Sequence, residues 1–195
     1  MSTRRRNVTQ GRARKFRTVT LDPPWLERGS GKVKRGADRH YLLMKTKDMP
    51  ALITSAPVWI FHEHAHCYMW VTNNFLPDGL WLMDQIGFVF KTTLCWKKPR
   101  IGIGQYFRGQ HELVLFGTRG KGMDPSVYTG RRDVSSMIDA NHGLIPGTRN
   151  RKHSAKPLEF YDKVEARSHG PYLEMFARES RKGWTSWGNE VNHVG

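Results

Sequence analysis

Residues 22–25 read Asp22-Pro23-Pro24-Trp25 and follow the apolar run Val19-Thr20-Leu21. The tetrapeptide brings a carboxylate, two backbone carbonyls and a large aromatic face within a few ångströms of one another. These are the groups needed to hold a flat base and act on its exocyclic amine. The lone pair of such an amine is delocalised into the ring, which makes the nitrogen a poor nucleophile. A carboxylate accepting one N–H and a carbonyl accepting the other draw it towards tetrahedral geometry and free the lone pair. Hydrogen bonds to an ionised acceptor are the stronger ones, and here they oppose positive charge developing on nitrogen during methyl transfer. Proline fixes φ and stiffens both carbonyls. Trp25 is expected to stack on the base, an interaction worth about 1–3 kcal/mol. The same four residues also fit an ordinary strand end and a Pro-Pro turn, with Trp25 packed in the core.

The elements around this turn alternate. Phe16 to Leu21 reads as a strand that delivers it, and residues 26–40, rich in Gly, Lys and Arg, read as a loop. Lys47-Asp48-Met49-Pro50 opens a short helix. Ala65 to Thr72 reads as a buried strand ending at Asn73-Asn74. Leu76 to Gly87 carries apolar residues at helical spacing and stops at glycine. Phe88–Trp96 and Glu112–Phe116 read as strands, and 117–152 as a long polar segment. Pro157–Arg167 fits a helix with proline in its first turn, Tyr172–Ala177 a last buried strand and Trp184–Trp187 a short extension. This alternation predicts an α/β sheet covered by helices on both faces. In such sheets the ligand crevice lies beyond the carboxyl ends of the strands, where Asp22, Asn73 and Arg178 would converge.

At 195 residues the chain has the length of one domain, and its 32 Lys and Arg against 17 Asp and Glu give a formal charge of +15. So basic a chain points to a polyanionic partner, most simply nucleic acid. Residues 1–17 hold Arg4, Arg5, Arg6, Arg12, Arg14, Lys15 and Arg17 with no acid, which reads as a basic arm ahead of a single domain over 18–195. There is no apolar run long enough to span a membrane and no secretory h-region near residue 1. Cys67 and Cys95 read as reduced core residues rather than a disulfide, so a cytoplasmic protein is expected.

Other features admit competing readings. His62, His64 and His66 alternate along one strand face and could ligate zinc, or form a plain strand approach; no metal is expected. Gly102-Ile103-Gly104 and Gly109 resemble a phosphate-cradling loop but lack the Lys-Ser/Thr of a P-loop, so Tyr106, Phe107 and Arg108 read as substrate contacts or as packing. His111 and Glu112 could be an acid–base pair or structural hydrogen-bonding groups. Arg119, Lys121, Arg131, Arg132, Arg149, Arg151 and Lys152 are expected to flank the mouth of the site and meet phosphates, or to lie on solvated loops.

The chain as a whole resembles the adenine-N6 methyltransferases related to the seventy-kilodalton subunit of the messenger-RNA methyltransferase, and especially their small bacterial and phage members. The likeness runs from Phe16 to Val191 through LDPPW (21–25), RHYLLM (39–44), MWVTNNFLPDGL (69–80), GQYFRGQHELVLFGTRG (104–120), HSAKP (153–157) and LEMFARESRKGWTSWGNEV (173–191), in the family's order. It implies a Rossmann-like class I methyltransferase sheet with circularly permuted motif order, and S-adenosylmethionine as methyl donor. By residue match, Asp22, Pro23, Pro24 and Trp25 form the catalytic turn. His40 and Tyr41 lie near the entering nucleotide; Tyr106, Arg108, Arg119 and Arg151 join them as substrate contacts on the reading of the loop and basic residues above. Asp22 also faces the cofactor, Lys156 its carboxylate, and Arg178, Asn189 and Glu190 its ribose. Glu179-Ser180-Arg181 stands where many methyltransferases have a Gly-x-Gly turn, so polar side chains replace the close backbone approach of glycine.

These readings lead to an S-adenosylmethionine-dependent enzyme that methylates the N6 amine of adenine in nucleic acid, DNA in preference to RNA, with the target adenine single-stranded or flipped out. It would act alone, as a homodimer or with a partner subunit. The alternative is a non-catalytic nucleic-acid-binding scaffold, which would not need to bind the cofactor. Methylation of a protein amide is disfavoured by Asp22, where that chemistry uses Asn, and by the positive charge.

Overall fold

The computed structural model describes residues 14–26, 43–99, 101–102, 106–139 and 156–188. His40, Tyr41, Arg151, Asn189, Glu190, most of the basic arm and all but the first residue of the loop expected at 26–40 lie outside them. Seven strands form one mixed sheet. In chain order they are β1 (Phe16–Leu21), β2 (Phe61–Val71), β3 (Val89–Lys97), β4 (His111–Arg119), β5 (Met137–Ile138), β6 (Tyr172–Met175) and β7 (Trp184–Trp187). The helices are α1 (Met49–Ser55), α2 (Leu76–Gln85) and α3 (Leu158–Arg167).

Across the sheet the order is β5-β3-β4-β2-β1-β6-β7. β1 runs parallel to β2 on one side and to β6 on the other, while β4 is antiparallel to both β2 and β3. Leu21 is level with Met69 of β2 and Met175 of β6. The chain therefore leaves β1 and β6 side by side at one edge, and this alone brings Asp22 and Arg178 together from 156 positions apart. β4 enters the sheet at that same edge, because Leu113 pairs with Val71.

Alternation along the strands divides the core. Val19, Leu21, Ala65, Cys67, Met69, Leu173 and Met175 point to one face and pack with Met49 and Ile53 of α1 and Leu82 and Met83 of α2. Tyr68, Trp70, Leu94, Trp96 and Val114 point to the other and pack with Phe160, Tyr161 and Val164 of α3. α2 lies close on β4 because residue 117 is glycine: a Cβ there would stand 2.5 Å from Met83 Sδ. Gly87 ends the α2 segment with φ of +85°.

Several boundaries extend beyond those expected. β2 begins at Phe61 rather than Ala65, β4 continues to Arg119, and β5 interrupts the segment expected to be irregular. His66 is fully buried within β2. Its Nδ1 lies 2.7 Å from Ser168 Oγ, and its Nε2 2.7 Å from the Gly122 carbonyl. Both ring nitrogens are thus engaged, and among the described residues no group of His, Cys, Asp and Glu has a metal-binding arrangement. Cys67 is buried and free, and Cys95 is free and half-buried. Among the described residues no helix is long and apolar enough to cross a membrane.

The buried imidazole makes an acid-sensitive point. Burial holds His66 down to about 4 from 6.5, against the Gly122 carbonyl, which acts to raise it. The unfolded chain therefore binds the proton more readily. The stability that neutral His66 confers is present in full above pH 6.5 and is lost as pH falls towards 4, by about 3 kcal/mol in all. Urea titrations at pH 7 and pH 4.5 are expected to show most of that loss in the native protein and markedly less of it in His66→Gln.

Candidate active site

Asp22 is the first residue past β1, and the prolines that follow end the strand. The Pro23 carbonyl accepts the Trp25 N–H at 2.8 Å, and the Pro24 carbonyl accepts the Met44 N–H at 2.9 Å. Each carbonyl oxygen keeps a second lone pair. The turn is thus held from both ends.

Trp25 corrects an expectation. It is only 6% exposed and belongs to the α1/α2 core, with its ring stacked on Phe75 at 5.5 Å and its Nε1–H donating to the Trp70 carbonyl at 3.1 Å. A ring buried in this way offers no open face to a base. Its role here is to fix the turn against β2, because an indole buries a large apolar area once its N–H has a partner.

Asp22 turns to the opposite face, into a cleft of about 670 Å³ between the end of β1, the start of α3 and the 176–182 segment. Lys156 Nζ lies 3.2 Å from Asp22 Oδ1, and an Arg178 guanidinium nitrogen 3.4 Å from Oδ2. Lys156 also meets Glu112 Oε2 at 3.0 Å, and the other Glu112 oxygen is bound by Lys98. The Lys156 ammonium stands 4.6 Å from the centre of the Trp70 ring. Carboxylates and cations therefore alternate as Arg178–Asp22–Lys156–Glu112–Lys98, assembled from the ends of β1, β3, β4 and β6 and the lead-in to α3.

Burial would lower the Lys156 ammonium, but Asp22 and Glu112 outweigh it and raise the group above the usual lysine range. Burial would raise the Glu112 carboxyl, and Lys156 with Lys98 outweigh it and hold it at about 2. Glu112 is thus a carboxylate at any working pH and serves to anchor Lys156. It makes no pair with His111, which is exposed at the strand edge.

Eight residues join β6 to the parallel β7, too few for a crossover helix. The connection instead lies along the cleft, and Phe176, Arg178, Glu179, Ser180, Arg181 and Lys182 line it. Phe176 turns the chain with φ of +60°, the one positive φ at a non-glycine residue among those described. Such strain concentrates at functional sites. On the cleft wall Glu174 Oε1 accepts from the Tyr161 hydroxyl at 2.6 Å, and burial raises its carboxyl. Thr20, 2% exposed, also lines the cleft, and its hydroxyl has no partner among the described residues.

The remaining expected contacts separate. Tyr106 and Arg108 lie in the β3–β4 connection, on the Asp22 edge; Tyr106 is open to solvent and Arg108 Nε donates to the Gly102 carbonyl at 2.6 Å. Arg119 is a second correction. It ends β4, seven residues from Glu112 and so about 23 Å away at about 3.3 Å per residue. Its guanidinium packs 5.8 Å from the Phe61 and Phe88 ring centres. Lys121 follows at the same far edge, and Arg131 is paired with Asp133 and linked through its carbonyl to Arg167, at the far end of α3 from Lys156. None of these three flanks the cleft.

Glu112, Lys98, Trp70 and Glu174 are the members that motif reading did not assign to the site. What would reveal them is the pairing of β4 and β6 with their neighbours, since each is an ordinary strand residue in sequence.

The ends of β1 and β6 and the lead-in to α3 thus place the Asp22 carboxylate, the Lys156 and Arg178 cations and the Thr20 hydroxyl around one cleft of a size suited to a nucleotide-bearing cofactor. This is the layout of a group-transfer enzyme of the α/β class. Residues 16–190 match the MT-A70 family, and the chain belongs to that family of adenine-N6 methyltransferases. It is 25% identical to the type II methyltransferase M.MunI of a Mycoplasma species, over 91% of this chain and 78% of the relative. It is 28% identical to the human N(6)-adenine-specific methyltransferase METTL4, over 90% of this chain and 37% of the relative. With the N6-methyladenosine RNA methyltransferase MTA1 of Pyricularia oryzae the identity is 30%, over 91% of this chain and 47% of the relative. The chain thus spans less than half the length of the latter two.

Proposed function

We propose that the protein transfers a methyl group from S-adenosylmethionine to the N6 amine of adenine in nucleic acid, with DNA preferred over RNA. The observation that carries this reading is the double engagement of Asp22. The residue opens the Asp-Pro-Pro-Trp turn, and its carboxylate borders the cleft beside Lys156 and Arg178. The residues fit the cofactor: Lys156 offers a buried cation to its carboxylate, Arg178 and the unpartnered Thr20 hydroxyl offer donors to its sugar, and Asp22 offers an acceptor to its ammonium. When bound, S-adenosylmethionine supplies an electrophilic methyl group on a cationic sulfur.

The chain's own work is positioning and charge. Asp22 accepts one amine proton of the adenine, and the free lone pair of the Pro23 carbonyl accepts the other. This frees the nitrogen lone pair and stabilises the ammonium character the nitrogen gains. Trp25 holds the turn from behind. Lys156 is fixed by Glu112, so it need not reorganise as ligands enter. Alignment of the two reactants then supplies much of the rate.

The adjacency of β1 and β6 supports a Rossmann-like sheet with permuted motif order, the catalytic strand first and the cofactor strand near the end, within one catalytic domain over 18–195. DNA is placed ahead of RNA because the type II methyltransferase is matched over most of its length, whereas the RNA methyltransferase is about twice as long as this chain.

The test is methyl transfer from labelled S-adenosylmethionine to single- and double-stranded DNA and RNA, with products digested to nucleosides and identified by mass. N6-methyladenine from DNA in excess over RNA is the expected result. Cofactor binding without transfer to any polymer would point to a missing partner subunit. Absence of both would leave a scaffold role.

A further inference from the structure

The described residues of the β3–β4 connection extend the pairing of the two strands past the site's edge of the sheet. In this stem the Lys98 N–H donates to the Gln110 carbonyl at 2.8 Å, and the Gly102 N–H to the Gly109 carbonyl at 2.7 Å. Arg108 Nε ties the tip to the Gly102 carbonyl. On this braced tip Tyr106 is 94% exposed and Phe107 91% exposed, with Ile101 beside the stem at 58%. These are the two most exposed large apolar side chains among those described. Leaving an aromatic ring in water forgoes roughly 1.5–3 kcal/mol of burial, and two adjacent rings forgo it twice.

We infer that Tyr106 and Phe107 form a stacking platform for unpaired nucleotides next to the target adenine. This rests on the reading of the Asp22 cleft as the site of adenine methylation. Three features select the occupant. First, the connection rises from Glu112, which is linked through Lys156 to Asp22. Phe107 is five residues from Glu112, no more than about 17 Å along an extended chain, or on the order of five stacked nucleotides at about 3.4 Å each.

Second, the surroundings are cationic. Lys97 is exposed on β3, Arg108 is on the tip, and the whole chain carries +15. Aromatic rings set among cations bind single strands through base stacking and backbone charge together. Third, the apolar surface is small. Ile101, Tyr106 and Phe107 fall far short of the roughly 800 Å² per partner of a stable protein interface, yet each ring matches one base. A continuous duplex offers no free base faces, so the platform selects single-stranded or locally opened substrate.

The test uses the full chain and fluorescein-labelled single strands of deoxythymidine, which contain no adenine and so report binding independently of methyl transfer. Tyr106→Ala and Phe107→Ala are each expected to weaken binding roughly tenfold, the stacking loss for one base. The slope of log affinity against log salt is expected to stay unchanged, because no phosphate contact is removed. Tyr106→Trp and Phe107→Trp are expected to retain binding, and S-adenosylmethionine affinity is expected to be unaltered in all four variants. A 2-aminopurine placed within about five nucleotides of a target adenine is expected to be quenched by the native protein and not by the double alanine variant.

Unchanged affinity in the double alanine variant would overturn the proposal. So would a change confined to the sedimentation coefficient, which would make the tip a contact between copies of the chain. Loss of oligonucleotide binding in the alanine variants stands as support even if no methyl transfer is detected, so failure of the methylation reading registers separately.

Discussion

Asp22→Asn is expected to lower methyl transfer by about a thousandfold and to change S-adenosylmethionine affinity by less than about tenfold. The substitution keeps the shape of the side chain and removes its charge. One amide position becomes a donor, which turns an N–H towards the amine that the carboxylate would accept from. A preorganised group aimed at charge that develops in the transition state contributes about a hundred- to a thousandfold. Cofactor affinity is less exposed to the change because Lys156 keeps its 3.0 Å pair with Glu112 and so stays in place when Asp22 loses its charge. Initial rates with labelled cofactor and an adenine-containing oligonucleotide, set beside calorimetric titration of the cofactor, separate the two effects. Full activity in the variant would remove Asp22 from the chemistry. Equal losses of rate and affinity would mean that Asp22 serves the cofactor rather than the amine.

Asp22 was legible in the sequence because local rules coincide there. A short run rich in β-branched residues, Thr18-Val19-Thr20-Leu21, stops just before two prolines that cannot continue a ladder, and β1 ends at Leu21 as expected. The helix from Leu76 to its stop at Gly87 was equally readable, with proline at its start and glycine past its end. The limits of β2 were not, because Phe61-His62-Glu63-His64 lacks an apolar run. β5, two residues long, carries no period to read.

The larger gap lay in direction. Nothing in the order of residues says that β4 runs antiparallel to β2. That one fact brings Glu112 to Lys156 and carries Arg119 to the opposite edge. Trp25 illustrates a different limit. An aromatic residue in a turn reads equally as a platform or as core, and the choice depends on Phe75 and Trp70, about 50 and 45 residues away.

Lys156→Gln is expected to weaken S-adenosylmethionine binding by about a hundredfold and to destabilise the fold by about 2 kcal/mol. Lys156 is the shared partner of two carboxylates, with its side chain only 10% exposed. Removing one member of a buried pair commonly costs about 3–5 kcal/mol because a charge is left without compensation. Here the loss is smaller, since Asp22 keeps Arg178 and Glu112 keeps Lys98. The acid limb of stability should also move. In the native protein the contribution of Glu112 is present above pH 4.5 and is lost as pH falls towards about 2. Without Lys156 the burial that raises this carboxyl is opposed by Lys98 alone, so the loss begins at higher pH.

Adding Glu112→Gln distinguishes the two roles of the lysine. The double variant removes the buried carboxylate that Lys98 alone would otherwise offset and is expected to regain most of the stability measured by urea titration. It restores no cation for the cofactor carboxylate, so the affinity loss should persist. Recovery of affinity together with stability would mean that Lys156 acts only as a brace between β1 and β4, and the cofactor carboxylate would then have to be held by Arg178.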